Sequence, residues 1–244
     1  SRIYKIVLKF SKFIYNSADK IFVSSRKFEE YFDKTLNIRG NIKYLPFYAD
    51  DSFLGGENKS KKTNETINLV FAGNIGQMQS VKTIVLAANE LQDKSVMFHI
   101  LGDGSAFESC QKLSNDLKLK NLKFYGRMDF SKMPQMYAMA DAMLITLADN
   151  DLISYTLPNK VLSYMAAGKP IIACANGEVK RTIREAGCGF VADAEDYKGL
   201  KKKIKKFIKV DNKKELAKNA KEYYNQNFTI DIFIKKLIRF MKED

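Results

Sequence analysis

Residues 156–183 contain the pattern best suited to chemistry, a proline and a lysine at the predicted start of a helix. Pro158 fixes φ at a position where its missing N–H costs nothing. The backbone amides of Asn159 and Lys160 are then free to donate hydrogen bonds, and the Lys160 ammonium adds a positive charge. The segment therefore predicts an anion site of the kind that suits a diphosphate.

Two glycine turns, each between an apolar run and a helical pattern, are further candidates. Glycine lets the backbone come close to a ligand, and a following helix N-terminus favours an anion. A plain tight turn is an equally good interpretation of each, and the first turn matches neither the G-x-G-x-x-G pattern nor a Walker loop. In the second turn Ser105 is expected to cap the next helix. The candidate residues are Gly73, Asn74 and Gly76 in the first turn and Gly102, Asp103 and Gly104 in the second.

The elements that must position these residues follow from the hydrophobic pattern. Continuous apolar runs are typical of strands covered on both faces in a parallel sheet, and the segments between them have helical periodicity. This alternation predicts a Rossmann-like, doubly wound α/β fold. The predicted strands are residues 20–24, 42–45, 67–73, 96–102, 122–126, 142–147, 170–174 and 189–193. The predicted helices are residues 81–91, 105–118, 131–139, 159–167, 178–185 and 195–209.

The chain divides into four predicted segments. Residues 1–48 hold about two βα units, too few to bury both faces of a sheet. Residues 49–66 are polar and charged, as in a linker, and residues 67–210 hold the main α/β domain. Helical patterns fill residues 211–244, where the last helix is expected to need a partner surface. Its predicted apolar face consists of Ile230, Phe233, Ile234, Leu237, Ile238 and Met241.

Composition excludes several classes of protein. With 244 residues, 45% of them hydrophobic, the chain can form a packed core and is not a disordered tail. No apolar run approaches the roughly 18 residues of a membrane span, and no signal peptide is recognisable. Because the sequence does not begin with Met, we expect a fragment of a longer protein.

The residues that often bind metals or transfer protons have simpler interpretations here. Cys110, Cys174 and Cys188 form no C-x-x-C pair, which favours a reducing compartment and three small buried side chains. The single histidine, His99, lies in an apolar run and is expected to be a core residue rather than a base. The acidic string at 149–151 is expected to be a solvated loop rather than a metal site.

The net charge of +13 raises the question of an anionic partner. Residues 201–209 and 3–16 both combine lysines with apolar residues and could lie on an anionic leaflet. A solvated helix face is favoured for 201–209, whereas the alternatives are nearly balanced for 3–16. Nucleic acid is not expected as a partner, because no basic strand with interleaved aromatics and no helix-turn-helix spacing is present.

Taken together, the motifs resemble the donor-binding half of group 1 glycosyltransferases, retaining enzymes of glycosyltransferase family 4 with the GT-B fold. The nearest subgroup makes bacterial polysaccharides and transfers acetamido sugars. The resemblance covers about residues 20–225, with 1–48 similar to the end of the acceptor-side domain. The motifs, in chain order, are GNIGQMQSVKTI, ILGDGS, LKFYGRM, MADAMLITL, LPNKVLSYMAAGKPIIA, GE and AGCGFV.

The resemblance implies roles for particular residues. It places the first glycine turn beside a sugar diphosphate, the second turn in the nucleotide pocket, and Arg127 and Met128 against the base. Leu157, Pro158, Asn159 and Lys160 would hold the diphosphate, with Lys160 stabilising it. No catalytic nucleophile is identified, and neither a metal nor a cofactor is expected.

The sequence departs from the family pattern at one place. Family members usually carry two glutamates eight positions apart, and here these positions hold Tyr155 and Ser163. Ser163 can still bind a ribose hydroxyl, although without charge assistance.

The expected function is therefore a retaining transfer of sugar from a nucleotide sugar, most simply a UDP-sugar, to a lipid-linked or glycan acceptor during surface polysaccharide synthesis. The expected location is cytoplasmic, with the inner membrane face as a peripheral partner. Two alternatives stay open, a non-catalytic nucleotide-binding module and a basic membrane-surface protein. The chain alone is expected to bind nucleotide without transferring sugar.

Overall fold

The computed structural model describes residues 2–53 and 66–243. The strands in these ranges are β1 (Ile21–Val23), β2 (Ile42–Tyr44), β3 (Ile67–Ala72), β4 (Val96–Leu101), β5 (Leu122–Gly126), β6 (Ala142–Thr146), β7 (Ile171–Cys174) and β8 (Gly189–Ala192). The last six form one parallel sheet in the order β5-β4-β3-β6-β7-β8. The chain winds outward from β3 in one direction and from β6 in the other. The topological switch point, where such sheets bind ligands, therefore lies between β3 and β6.

The described residues also form helices, several of which cover the two faces of this sheet. The helices are α1 (Arg2–Asn16), α2 (Arg26–Tyr31), α3 (Val81–Asn89), α4 (Phe107–Asp116), α5 (Met133–Met139), α6 (Asp151–Ser154), α7 (Asn159–Ala166), α8 (Gly177–Ala186), α9 (Tyr197–Lys209), α10 (Lys213–Asn227) and α11 (Ile230–Lys242). Residues of α5, α7, α8 and α10 share a core with one face, and residues of α3, α4 and α9 share a core with the other. Each large apolar side chain buried in these cores contributes about 1.5–3 kcal/mol, which fixes the helices on the sheet.

The N-terminal segment, residues 2–48, is a small separate layer. Strands β1 and β2 pair in parallel, and Phe32 and Leu36 are buried beside them. From α1, Leu8 and Tyr15 pack on this cluster. The other large apolar side chains of α1 are exposed, namely Ile3, Tyr4, Ile6, Val7, Phe10, Phe13 and Ile14. Helix α1 thus presents an uncovered apolar surface.

The two C-terminal helices have different partners. Helix α10 belongs to the core of the main sheet, where Ala220, Tyr224 and Phe228 are buried. Helix α11 reaches the N-terminal segment instead: Phe240 is buried and stacks on Phe22, with 6.2 Å between ring centroids.

The apolar face predicted for the last helix is only partly covered. Phe233 contacts Tyr48, with 5.2 Å between ring centroids. The buried residue of α11 is Phe240, which the predicted face did not include. The remaining exposed members of that face are Ile230, Ile234, Ile238 and Met241.

All eight predicted strands and the doubly wound fold are confirmed, with shifts of at most one residue at strand ends. The expected cap at Ser105 is wrong. Helix α4 begins at Phe107 after Ala106, whose N–H donates to the carbonyl of Ile75 at 2.8 Å, so the turn and not a side chain sets the start.

Two further expectations concern linkers and membranes. Most of the predicted linker, residues 54–65, lies outside the described residues. The segment boundaries at 48, 66 and 210 stay predictions. Within 2–53 and 66–243, no helix has the length and hydropathy that a membrane span requires.

Candidate functional site

The two glycine turns interlock at the carboxyl ends of β3 and β4. The Gly73 N–H donates to Leu101 O at 3.0 Å, and the Ile75 N–H donates to Asp103 O at 2.8 Å. Gly102 has φ +128°, and a Cβ there would collide with the carbonyl of Gly73. Glycine at position 102 is therefore required by the close approach of two backbones, and both turns are held as one rigid unit.

The side chain of Asn74 stabilises this pair of turns. Its Nδ2 donates to Gln79 Oε1 at 3.1 Å, and the Gly76 N–H donates to the same oxygen at 3.1 Å. A Cβ at Gly104, where φ is +152°, would lie 2.6 Å from Asn74 Oδ1. In the described structure, the side chain of Asn74 therefore helps to hold the conformation of the first glycine turn.

Tyr164 on α7 holds the end of β3. Strands β3 and β6 pair at Leu69 and Val70 but not beyond, so the backbone of Ala72 has no partner on β6. The buried Tyr164 hydroxyl takes that place, accepting from Ala72 N at 2.9 Å and donating to Ala72 O at 3.0 Å. Burial raises the Tyr164 pKa well above its usual value, so the phenol stays protonated. The Tyr164 side chain of α7 thus satisfies the backbone of β3 where this strand no longer pairs with β6.

Lys160, one turn before Tyr164, points at the first glycine turn. A Cβ built on Gly73 would lie 2.8 Å from Lys160 Nζ, so glycine is what lets the ammonium reach the backbone. The Nζ lies 4.2 Å from the centroid of the Phe71 ring. It is buried and has no hydrogen-bond partner in the described residues, although Lys160 as a whole residue is partly exposed.

Burial without a partner has an electrostatic consequence. Desolvation of the Lys160 ammonium lowers its pKa to about 8. The charged form is therefore poorly stabilised until an anion approaches, which is the behaviour of a cation placed for a ligand.

The start of α7 is arranged as predicted. Pro158 has φ −62° and precedes the first helical residue, Asn159, which is exposed. The first amides of a helix lack intrahelical acceptors, so those of Asn159 and Lys160 are available beside the Lys160 ammonium. The side chain of Leu157 is buried in the core, which leaves its backbone as the part able to face a ligand.

The two positions of the missing glutamates lie in different surroundings. The Ser163 hydroxyl donates to Asn159 O at 3.3 Å, on the partly exposed side of α7. Tyr155 instead packs against the N-terminal segment, with 6.3 Å to the Phe28 centroid and 6.1 Å to the Tyr31 centroid. Its carbonyl accepts a hydrogen bond from the buried Ser25 hydroxyl. Tyr155 therefore links two layers of the molecule.

A cleft of about 570 Å³ opens beside the second glycine turn. Asp103, Gly104 and Gly126 line it, so the structure brings two of the predicted nucleotide-pocket residues together there. Arg127, which follows Gly126, is exposed near this cleft, whereas Met128 packs against the core. The assignment of these residues to a nucleotide stays a prediction.

The residues with simpler interpretations have the expected environments. His99 is buried between Tyr125 and Asn68, at 2.8 and 3.0 Å, and burial with the nearby Lys123 lowers its pKa to about 4. It is a core histidine. The three cysteines are buried and unbridged. The residues at 149–151 are exposed, as expected, but Asp151 already begins α6, and Asn150 caps this helix by accepting from Ile153 N at 3.2 Å.

Two polar residues of this region were missed in the sequence. Tyr164 stands among apolar residues on the buried face of α7, and a buried tyrosine needs a partner for its hydroxyl, which is a usable signal. Lys169 is 2% exposed and donates to Ala138 O and Ala140 O at 3.0 and 2.9 Å. Its position after Gly168 gave no sign of that burial.

The fold and the site together define a doubly wound domain with two glycine turns and a buried lysine ammonium beside its switch point. The chain belongs to the group 1 glycosyl transferases: the family model described as Glycosyl transferases group 1 matches residues 56–226. Among curated proteins it is 26% identical over 222 residues to Probable glycosyltransferase WbjE of Pseudomonas aeruginosa. That match covers 85% of this chain and 54% of the relative, so the chain spans about half of the relative's length.

Solved structures have the same fold. A glycosyltransferase from Rickettsia africae aligns with a TM-score of 0.80 at 15% identity, covering 96% of this chain and 67% of that one. The Anabaena protein HepE, solved in complex with UDP and glucose, aligns with a TM-score of 0.79 at 15% identity, covering 97% of this chain and 67% of that one. The chain therefore has the doubly wound, parallel-sheet domain of GT-B glycosyltransferases.

Proposed function

We propose that this chain forms the donor-binding part of a glycosyltransferase that takes a sugar from a nucleotide diphosphate sugar, most simply a UDP-sugar. The observation that carries the proposal is the buried ammonium of Lys160 at the first glycine turn, which has no hydrogen-bond partner within the part of the chain that the structure describes. A diphosphate there would receive this charge and the first amides of α7 at the same time. HepE, which has the same fold, was solved with UDP.

The chemistry of the site would be electrostatic. When the bond between the sugar and the diphosphate breaks, negative charge grows on the leaving oxygen. Lys160 and the start of α7 are fixed in place before the reaction, so they would stabilise that charge without reorganisation. Retention of configuration and a lipid-linked or glycan acceptor belong to the same proposal, supported by the family and by relatives such as the putative colanic acid enzyme WcaI of Escherichia coli.

Calorimetric titration with UDP tests the proposal. Lys160→Met should weaken UDP binding by about 1.5–3 kcal/mol, the usual worth of one charge-assisted contact. Lys82→Met, which removes an exposed charge from α3, is the matched control and should leave the affinity unchanged. The loss should be larger for UDP than for uridine, which has no phosphate. Equal UDP affinity in the Lys160→Met variant and the parent chain would refute the diphosphate assignment.

A second candidate function rests on helix α1. Its exposed apolar side chains stand beside Lys5, Lys9 and Lys12, the composition of a helix that lies on an anionic membrane surface. We propose peripheral contact with such a surface as an additional role. Flotation with vesicles containing phosphatidylglycerol tests it, and loss of flotation in Phe10→Asp is expected. Flotation of this variant equal to that of the parent chain would exclude α1 as the contact.

A further inference from the structure

A second cavity lies away from the glycine turns, between the N-terminal segment and the helices α8, α10 and α11. Its volume is about 300 Å³, at the lower end of the range for ligand pockets. Arg26 and Tyr44 form the N-terminal side, Arg181 lies on α8, and Lys236 lies on α11. It shares no lining residue with the cleft beside the second glycine turn.

One part of this cavity is electrostatically satisfied. Arg181 pairs with the buried Glu178 at 2.5 Å and with Glu185 at 2.5 Å. Glu185 also accepts from the Tyr223 hydroxyl at 3.0 Å. The carboxylate that lines the cavity is therefore bound by Arg181 and Tyr223, and it forms no ion pair with the other two cations.

Those two cations are Arg26 and Lys236. The Arg26 guanidinium lies 4.7 Å and the Lys236 ammonium 5.3 Å from the centroid of the Tyr44 ring. Neither forms an ion pair with any carboxylate in the part of the chain that the structure describes. Burial and the nearby charges of Arg26 and Arg239 lower the pKa of Lys236. Two like charges thus line one cavity without an ion-pair partner among residues 2–53 and 66–243.

We propose that this cavity binds a phosphate or diphosphate group of a ligand other than the nucleotide donor. A planar guanidinium fork beside an ammonium suits the several oxygens of a phosphate better than a single carboxylate, and the Tyr44 hydroxyl adds a donor. Burial, the largest effect, raises the Tyr44 pKa to about 12, so the hydroxyl keeps its proton. The ligand would join the N-terminal segment to α11.

Amine labelling of the unmodified chain tests the site without any substitution. Lys236 and its exposed neighbour Lys235 are acetylated in parallel and followed by mass spectrometry, with Lys235 as the internal control. Saturating pyrophosphate at constant ionic strength should slow the labelling of Lys236 severalfold and leave Lys235 unchanged. Equal labelling of Lys236 in all conditions would overturn the proposal.

Two further arms separate this site from the donor site and identify the source of the phosphate. In the Lys160→Met variant, protection of Lys236 by pyrophosphate should persist, and adding Lys236→Gln should weaken pyrophosphate binding by about tenfold or more. Lys235→Gln is the matched control. Protection by vesicles containing phosphatidic acid but not by pyrophosphate would assign the phosphate to a lipid headgroup. Pyrophosphate affinity unaffected by Lys236→Gln in this background, with no protection by vesicles, would refute the site.

Discussion

Helix α7 has a buried lysine near each end, and the two differ in what surrounds the charge. Lys169, three residues after the helix, gives its ammonium to the carbonyls of Ala138 and Ala140 at the end of α5. Lys160, in the first turn, has no hydrogen-bond partner among the described residues and lies against Gly73. Lysine thus forms structural hydrogen bonds at one end of the helix, whereas at the other end its ammonium has no hydrogen-bond partner among the described residues.

The difference separates a structural cation from one placed for a ligand. A buried charge with its hydrogen bonds made stabilises the folded chain, because removing it leaves the partner groups unsatisfied. A buried charge without hydrogen bonds destabilises the folded chain. We expect such a charge to be kept only where ligand binding recovers the lost free energy. The five predictions below sharpen or break this comparison, from the largest expected effect to the smallest.

Lys169→Met should cause the largest loss of stability. The substitution keeps the length of the side chain but leaves the carbonyls of Ala138 and Ala140 without their donor, so the free energy of unfolding should fall by about 3 kcal/mol. Urea denaturation measures it, with Lys132→Met at an exposed position before α5 as the control. A stability of Lys169→Met equal to that of the control would mean that the carbonyls find other donors and that Lys169 is not structural.

Tyr164→Phe should cost less, about 2 kcal/mol, because two buried backbone groups of Ala72 lose one hydroxyl. The strand end that carries Gly73 should also become looser, so UDP affinity should fall severalfold. Tyr137→Phe is the matched control: Tyr137 is buried beside Tyr164, and its hydroxyl makes no hydrogen bond with any of the described residues. Urea denaturation measures the free energy of unfolding of both variants, and calorimetric titration measures their affinity for UDP. A loss of stability with full UDP affinity would limit Tyr164 to a structural role.

Lys169 and Tyr164 show which features of the structure the sequence does not predict. Continuous apolar runs predict the parallel sheet because burial of both strand faces leaves few alternatives, and Pro158 predicts the start of α7 through local geometry. The partners of Lys169 and Tyr164 lie on other elements, 29 and 92 residues away in the chain. Such contacts depend on the spacing between β3 and β6, which no local pattern records. The buried state of Lys160 likewise depends on Phe71, a neighbour in space alone.

The affinity for UDP should depend on pH because the Lys160 amine must be protonated to bind the diphosphate. The protonated amine binds the anion, its pKa in the free chain is about 8, and a bound diphosphate raises that pKa. UDP affinity should therefore be constant below pH 8 and fall above it, by up to about tenfold per pH unit, until the pKa of the complex is reached. Titrations between pH 7 and 9.5 measure it. A flat profile, or one that persists in Lys160→Met, would show that another group controls binding.

Lys160→Met should have the opposite effect on stability to Lys169→Met. Removing an unpartnered buried charge and keeping an apolar chain over Phe71 should raise the free energy of unfolding by about 1 kcal/mol at pH 7. The gain should shrink as the pH rises above 8, because the amine of the parent chain is then neutral. Urea denaturation at pH 7 and pH 9.5 tests both the gain in stability and its decrease at higher pH. A loss of stability at pH 7 would mean that Lys160 supports the fold, and the contrast between the two lysines would disappear.

The smallest expected effect concerns Ser163, on α7 between the two lysines. Its hydroxyl donates to Asn159 O, a weak local bond, and its side of the helix is partly exposed. Ser163→Glu would place a carboxylate where the family pattern has one, and a carboxylate accepts from ribose hydroxyls more strongly than a serine does. UDP affinity should then rise severalfold, whereas pyrophosphate, which has no ribose, should bind no better and slightly more weakly because of the added negative charge. Calorimetric titration with both ligands separates these effects, and Ser163→Gln, of the same length without the charge, is the control. Equal changes for UDP and pyrophosphate would show that position 163 acts on the diphosphate through charge alone and does not face the ribose.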